Sequence, residues 1–193
     1  PDCYYDSHTY LLLATGGVTQ LEGAAGGGLV PWALLAGYGT REQIGASAFY
    51  THVSVQDYRL NAAGTALTFF DRLELSYARQ QFDLTGTVLP GNNIRQNVLG
   101  AKLRLFGDAV FAQDSPLPQM ALGVQYKRNL DFDGIPRALG ARSREGVDYY
   151  AALSKLLLAW PAGRNLLFNG VMRASKANPL GLLGFGGDRS KDY

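Results

Sequence analysis

The sequence has few charged residues, few side chains that bind transition metals, and a single cysteine. Asp, Glu, Lys and Arg make up 18% of the chain, below the roughly 25% usual for soluble domains. The net charge of +2 gives no basic excess of the kind that nucleic-acid binding requires. Cys3 has no second cysteine to pair with, and two histidines beside one thiol are too few for a transition-metal site. We therefore expect no nucleic-acid partner, no metal and no cofactor.

A long apolar helix is also missing, although one stretch has the length for it. Residues 23–40 are eighteen residues without a charge, enough to cross a membrane as a helix. Six of them are glycine and one is Pro31, and both residue types are unfavourable inside a helix, proline by roughly 3 kcal/mol. We interpret residues 23–28 as a glycine-rich connection and residues 29–38 as a tilted strand with Trp32 toward lipid.

Most of the remaining sequence alternates apolar and polar residues, which is the pattern of a strand with one apolar face. Leu99 and Leu103, for example, face one way, and Lys102 and Arg104 face the other. The clearest predicted strands are 73–82, 98–106, 120–128 and 166–175, and the less regular ones are 10–18, 29–38, 43–55, 60–69 and 147–158. Three consecutive leucines at 156–158 leave a short helix open as the alternative for the last of them.

The connections between these strands alternate between long and short, as they do in outer-membrane barrels, whose extracellular loops are long and whose periplasmic turns are tight. Residues 70–72 and 159–164 form short connections, and residues 83–95 and 129–146 form long ones. Residues 107–117 are longer than this scheme predicts. Strands of about ten residues also match a tilted membrane crossing. Alternation alone leaves open a soluble β-structure with its apolar face inside.

We predict an all-β fold, an antiparallel transmembrane β-barrel of the bacterial outer-membrane type. Residues 1–9 are interpreted as a polar periplasmic tail, and residues 10–193 as the barrel domain with its long loops extracellular. The chain supplies about 9–10 strands, whereas bacterial single-chain barrels have even numbers. Its last residues, GLLGFGGDRSKDY, do not form an amphipathic closing strand. We therefore expect a barrel that is truncated before its last strands.

Five sequence blocks stand out between Leu11 and Tyr193: TGGVTQLEGAAGGGLVPWALLAGYGTREQIGASAFYT, DRLELSYARQQFD, GAKLRLFGDAV, LPQMALGVQYKRN and SKANPLGLLGFGGDRSKDY. They resemble an uncharacterised family of proteobacterial outer-membrane proteins, catalogued as a domain of unknown function. The resemblance implies a barrel in the outer membrane, a cleaved signal sequence and further strands beyond the GFGGD block. It implies no activity and no functional residues, and residues 1–10 lie outside it.

No combination of reactive side chains predicts catalysis or metal binding. His52, Ser54 and Asp57 have the residue types of a hydrolase, but neighbours on one strand seldom give the geometry of attack, and no nucleophile motif surrounds Ser54. The triple glycine at 26–28 lacks the lysine of a phosphate-binding loop. Four acids lack the ordered spacing of a calcium loop and are interpreted as solvated loop residues: Asp6, Asp131, Asp133 and Asp148. We expect no enzymatic activity.

The polar face of the predicted strands is the feature with the most mechanistic content. It offers six possible lumen-lining residues: Glu74, Lys102, Arg104, Gln125, Lys127 and Arg173. Four of them are cations and Glu74 is the one acid, so a water-filled lumen with this lining would prefer anions. In the alternative interpretation, packed side chains fill the lumen and the cations pair with loop acids.

Three functions therefore stay open. The first is a porin-like channel with weak anion preference, and the second is a structural or anchoring barrel in a larger outer-membrane complex. The third is a barrel that hydrolyses lipid. The expected partners are outer-membrane lipid and, for the second function, other envelope proteins, while the oligomeric state is left open.

Overall fold

A computed structural model of the chain describes residues 18–37, 41–56, 58–84, 93–133, 135–138, 141–159, 163–176 and 185. Within these residues the fold is all-β apart from one helical turn, α1 (Ile135–Ala138). The main element is a seven-stranded antiparallel sheet that curls into a half-barrel. In the described part of the chain, no helix has both the length and the apolar character needed to cross a membrane.

The sheet is a meander, because each strand pairs with the strands before and after it in the sequence. Its strands are β3 (Ile44–Ser54), β4 (Tyr58–Phe69), β5 (Leu73–Leu84), β6 (Asn93–Phe106), β7 (Gln119–Asn129), β8 (Glu145–Leu157) and β9 (Leu166–Ala174). Two further strands of two residues each, β1 (Gly26–Gly27) and β2 (Val30–Pro31), form a separate hairpin. Among the described residues, β3 and β9 are the edges of the main sheet.

The seven strands of the sheet confirm seven of the nine predicted strands, from 43–55 to 166–175. The alternative helix at 156–158 is wrong, because Leu156 and Leu157 continue β8 and pair with β9. Period-two alternation locates these strands well because every second residue of each one faces the same side. The predicted strand 10–18 lies outside the described residues except for Val18, which is not in a strand.

The prediction of a strand over residues 29–38 is wrong. Within 29–37 the structure has β2, which pairs with β1 and does not join the main sheet, and a single bridge position at Ala36. A Cβ at Gly26 would lie 2.3 Å from the Val30 carbonyl oxygen, so this close approach of two backbone segments requires glycine. Trp32 is half-buried and its indole packs beside Gly27, so it does not face outward from the sheet.

Residues 18–37, which we name the inner segment, lie on the concave side of the half-barrel. All seven strands of the sheet contribute side chains that hydrogen-bond to the inner segment. One segment can reach side chains from all seven strands only on the concave side of the sheet. The side chains are Thr51, Thr68, Glu74, Gln80, Lys102, Gln119, Lys127, Ser154 and Arg173. Alanines line the contact, with Ala25 and Ala36 packed on Ala66 and with Ala33 packed near Ala121. These small side chains let the inner segment approach the sheet closely.

The two faces of the sheet differ sharply in chemistry. Large apolar side chains are exposed on the convex face, and they include Leu67, Leu75, Tyr77, Leu99, Leu103, Leu122, Tyr149, Leu153, Phe168 and Met172. The concave face is covered by the inner segment and buries lysine, glutamate, aspartate and glutamine side chains. A soluble β-sandwich has the opposite arrangement, with apolar side chains inside and polar ones outside.

Candidate functional site

The structure places all six predicted polar-face residues on the concave face of the sheet. Four of them, Glu74, Lys102, Gln125 and Lys127, are almost completely buried. Their positions follow from strand register, since residues that are directly opposite on neighbouring strands face the same side. Glu74, for example, pairs with Lys102 across β5 and β6. All of the six except Arg104 contact the inner segment or one another.

The pair of Glu74 and Lys102 binds the inner segment at two places, at Ala25 and at residues 34–36. The Glu74 carboxylate accepts hydrogen bonds from the backbone N–H groups of Ala25 (3.1 Å) and Ala36 (2.7 Å). The Lys102 ammonium donates to the carbonyl oxygens of Ala25 (3.0 Å) and Leu34 (2.9 Å) and lies 3.2 Å from a Glu74 oxygen. The ammonium has three donors, and all three are used.

Three alanines of the inner segment have both their backbone N–H and their carbonyl satisfied by side chains of the sheet. Ala25 is bonded by Glu74 and Lys102 as described. Ala33 donates to Ser154 Oγ (2.8 Å) and accepts from Gln119 Nε2 (2.7 Å). The third, Ala36, donates to Glu74 and accepts from Thr68 Oγ1 (2.7 Å). The inner segment therefore satisfies its buried backbone groups without a strand ladder to the sheet, which buried groups must do by some means.

A second group of charges, which we name the Glu22 network, consists of Glu22, Lys127, Asp148 and Arg173. Glu22 of the inner segment forms ion pairs with Lys127 and with Arg173, the latter at 3.0 Å. Asp148 lies 3.3 Å from the Lys127 ammonium and 2.6 Å from the Arg173 guanidinium. Arg173 also donates to the side-chain oxygen of Gln125 (2.8 Å). Two cations and two carboxylates thus alternate in a compact, buried arrangement.

The Glu22 network corrects two sequence-based interpretations. Asp148 was predicted to be a solvated loop residue, but it lies fully buried on the concave face of β8. The prediction that Glu74 is the one acid opposite four cations is also wrong, because Glu22 and Asp148 face the same cations. Glu22 was missed because it stands alone at the start of a long uncharged run. A lone carboxylate in such a run is itself a signal, since a buried charge needs a partner.

Arg104, the remaining predicted residue, lies at one end of the sheet and pairs with acids of two connections. Its guanidinium contacts Asp71, lies 3.3 Å from Asp108, and donates to the Gly107 carbonyl oxygen. In the connection that follows, residues 107–118, Ala109 and Val110 are buried, and the Ala109 N–H donates to the Gln119 side-chain oxygen (3.2 Å). The pairing with connection acids agrees with the alternative interpretation of packed, paired cations for this residue.

The connection 107–118 is fixed by two further contacts. The Lys155 ammonium donates to the carbonyl oxygens of Asp108 (3.2 Å) and Ala112 (2.6 Å). The Asp108 carboxylate accepts from the N–H groups of Val110 (2.9 Å) and Phe111 (2.6 Å). Partial burial raises the pKa of this carboxyl, but the backbone donors and Arg104 outweigh it and hold the pKa below its ordinary value.

The other candidate residues do not form a site within the described part of the chain. His52 and Ser54 lie on the exposed side of β3, where the His52 ring contacts the Asn61 side-chain oxygen at 2.7 Å. Asp57, Asp6 and Cys3 lie outside the described residues. Asp131 pairs with Arg95, and Asp133 lies 3.5 Å from the guanidinium groups of Arg137 and Arg144. No group of three or more potential metal ligands occurs among the described residues.

Comparison with known proteins gives a family without an assigned activity. A family model described as "Protein of unknown function (DUF3034)" matches residues 15–193. No curated protein and no solved structure matches the chain. The matched region contains the whole described fold, including the inner segment and the Glu22 network. The chain therefore belongs to the DUF3034 family of proteins of unknown function.

Proposed function

We propose that the sheet is part of the wall of a bacterial outer-membrane β-barrel and that the inner segment closes the barrel interior. One observation carries this proposal: large apolar side chains are exposed on the convex face, whereas charged side chains are buried on the concave face. Transmembrane barrels have this polarity, because their outer surface contacts lipid and their interior is polar. The strands, of 9 to 14 residues, are long enough for the crossing.

A soluble protein with this surface would be unusual. Contiguous exposed apolar patches of more than a few hundred Å² are rare on soluble monomers and mark an interaction site. In the middle of the sheet the outward positions of neighbouring strands are apolar and form a continuous band. On β5 and β6 the paired residues of this band are Leu73 with Leu103, Leu75 with Ala101, and Tyr77 with Leu99. Lipid covers such a face without requiring a specific partner. Further strands that pair with the edges of β3 and β9 would complete the wall, since unpaired backbone groups are costly in lipid.

The packed interior favours a structural or anchoring barrel over an open porin. The inner segment buries Ala25, Ala33 and Ala36 against the sheet, in the space where a porin has water. The charges of the interior are also balanced there, since Lys102, Lys127 and Arg173 face Glu22, Glu74 and Asp148. In this conformation we expect no steady ion conductance. An anion-preferring channel is the second candidate, and the charges of the wall without the inner segment favour it.

Folding in the presence and absence of lipid tests the proposed location. The protein is used at full length, so that strands outside the described residues can complete the wall. It is diluted from urea into buffer, with or without phosphatidylcholine vesicles, and is followed by far-UV circular dichroism and by gel migration with and without heating. We expect β-structure and a heat-dependent migration only with vesicles, because only lipid covers the convex face. A monodisperse β-folded species in plain buffer would contradict the proposal.

A further inference from the structure

We propose that the inner segment is a displaceable plug and that the wall it leaves behind conducts anions in preference to cations. This inference rests on the proposed barrel and adds to it a gate, with an ionic latch at Glu22, and a class of permeating ion. It follows from three features of the interior: how the inner segment is attached, what its departure would break, and how it changes the charge of the wall.

The inner segment is attached to the wall by side chains rather than by a backbone ladder. Its backbone–backbone hydrogen bonds within the described residues stay inside the segment, such as Gly26 N–H to Val18 O (2.8 Å) and Trp32 N–H to Ala25 O (3.0 Å). The wall strands, in turn, pair continuously with one another from β3 to β9. Departure of the inner segment would therefore leave every described backbone pair of the wall in place.

Most groups that attach the inner segment are polar, so water can solvate them once the segment has left. Ala25, Ala33 and Ala36 make part of its apolar contact with the wall and bury little apolar surface. Leu35 is a larger apolar side chain that is also buried in the segment. The other contacts of the segment are hydrogen bonds and ion pairs from polar side chains, including Gln80 to the Leu21 carbonyl (3.0 Å) and Thr51 to the Gln20 carbonyl (2.8 Å). In a water-filled interior these wall side chains would be solvated, as the lining of a porin is.

Glu22 is the one charged residue of the inner segment, and its departure changes the charge of the wall. With Glu22 in place, three cations (Lys102, Lys127 and Arg173) face three carboxylates, and the interior is neutral. Without Glu22 the same cations face only Glu74 and Asp148 among the described residues, which leaves a net charge of +1 on this part of the wall. Two more cations, Arg104 and Lys155, lie with Asp71 and Asp108 at one end of the sheet and add no net charge. Rings of cationic side chains favour anions in a pore.

The same carboxylate thus holds the gate closed and neutralises the closed interior. Replacing it by an amide of the same shape weakens the attachment to Lys127 and Arg173 and leaves the wall positive. The variant Glu22→Gln should therefore open more often than the unmodified chain, and its open state should prefer anions. Glu145→Gln is the matched control, because Glu145 forms its ion pair with Arg128 at the partly exposed end of β8, away from the inner segment.

A reversible covalent lock separates gating from a general loss of stability. A Cβ at Gly23 would lie 3.3 Å from the Ala78 Cβ, close to the separation that a disulfide requires. The lock is the pair Gly23→Cys and Ala78→Cys in a Cys3→Ser background, which leaves no other thiol. Gly23 has a φ of +85°, so the single variant Gly23→Cys controls for the strain of a side chain at that position.

Planar-bilayer recordings in a tenfold gradient of KCl test the inference on protein that has first passed the lipid-folding assay. We expect at least a tenfold higher open probability for Glu22→Gln than for the unmodified chain and for Glu145→Gln. The reversal potential of these openings should have the sign that chloride selectivity gives in this gradient. The oxidised lock should be silent, and dithiothreitol should restore its openings. The gate is refuted if lipid-folded Glu22→Gln stays silent or if the oxidised lock conducts. Potassium selectivity of the openings would refute the anion preference, whereas failure to fold into lipid would refute the barrel itself.

Discussion

Replacing Glu74 by glutamine removes one charge from a fully buried ion pair of the interior. Glu74 and Lys102 are each 1% exposed, and removing one partner of such a pair costs about 3–5 kcal/mol because the other charge stays buried. Glutamine also offers only one acceptor oxygen to the N–H groups of Ala25 and Ala36, which both donate to Glu74. We therefore expect Glu74→Gln to lower the free energy of unfolding by about 3–5 kcal/mol.

Equilibrium urea titration of the vesicle-folded chain, followed by far-UV circular dichroism, measures this loss. Glu145→Gln is the control, since Glu145 and Arg128 are 41% and 51% exposed and exposed pairs contribute about 0–1 kcal/mol. The double variant Glu74→Gln/Lys102→Gln should lose less than the sum of the two single variants, because it leaves no unpaired charge. The reasoning is refuted if Glu74→Gln loses no more than Glu145→Gln, or if the double variant is simply additive.

Three further predictions concern the faces, the packing and one connection of the sheet. Leu99→Arg on the convex face should destabilise the lipid-folded chain by about 2–4 kcal/mol in a urea titration. The control Arg137→Ala on α1 should have little effect, and equal effects of the two variants would contradict a lipid-facing β6. Gly123→Ala should lower the free energy of unfolding by about 1–3 kcal/mol through overpacking, since its Cβ would lie 2.1 Å from Tyr150 Cζ. A Cβ at Gly170 meets nothing within 4 Å, so Gly170→Ala should leave the stability unchanged when calorimetry compares the two variants. The hydrogen bond from the Arg95 guanidinium holds the pKa of the Asp131 carboxyl below its ordinary value, so the stability from this pair should be present at neutral pH and lost as the pH falls below about 4. Protease cleavage in the connection 130–144 should rise over that range in the unmodified chain and less in Asp131→Asn, and an equal rise in both would contradict the assignment.

The seven strands of the sheet and the shared face of the six polar residues were predictable because both follow from a local rule. Alternation fixes which side each residue faces, so Lys102 and Lys127 could be assigned to one face without knowledge of the fold. The same rule, applied to the predicted strand 147–158, places Asp148 opposite Val147 and Tyr149 and so on the polar face. Its assignment to a loop was therefore an avoidable error.

The inner segment was not predictable in the same way. Its uncharged sequence is compatible with a strand, and no local signal says that its backbone will be satisfied by side chains of seven distant strands. What decides its position is tertiary: alanines at 25, 33 and 36 permit close approach, and residues as distant in sequence as Glu74 and Ser154 supply the hydrogen bonds. The pairing of Glu22 with Arg173 joins positions 151 residues apart, which a single sequence does not reveal.

The central claim, that the convex face contacts lipid, is tested most directly by nitroxide accessibility along β6. Spin labels at Leu99→Cys, Ala101→Cys and Leu103→Cys, each in a Cys3→Ser background in vesicles, report collisions with oxygen, which concentrates in lipid, and with a water-soluble nickel complex. A label at Arg137→Cys on α1 is the aqueous control. We predict high oxygen and low nickel accessibility at all three β6 sites and the reverse at the control. Nickel accessibility at the β6 sites equal to that of the control would contradict the account.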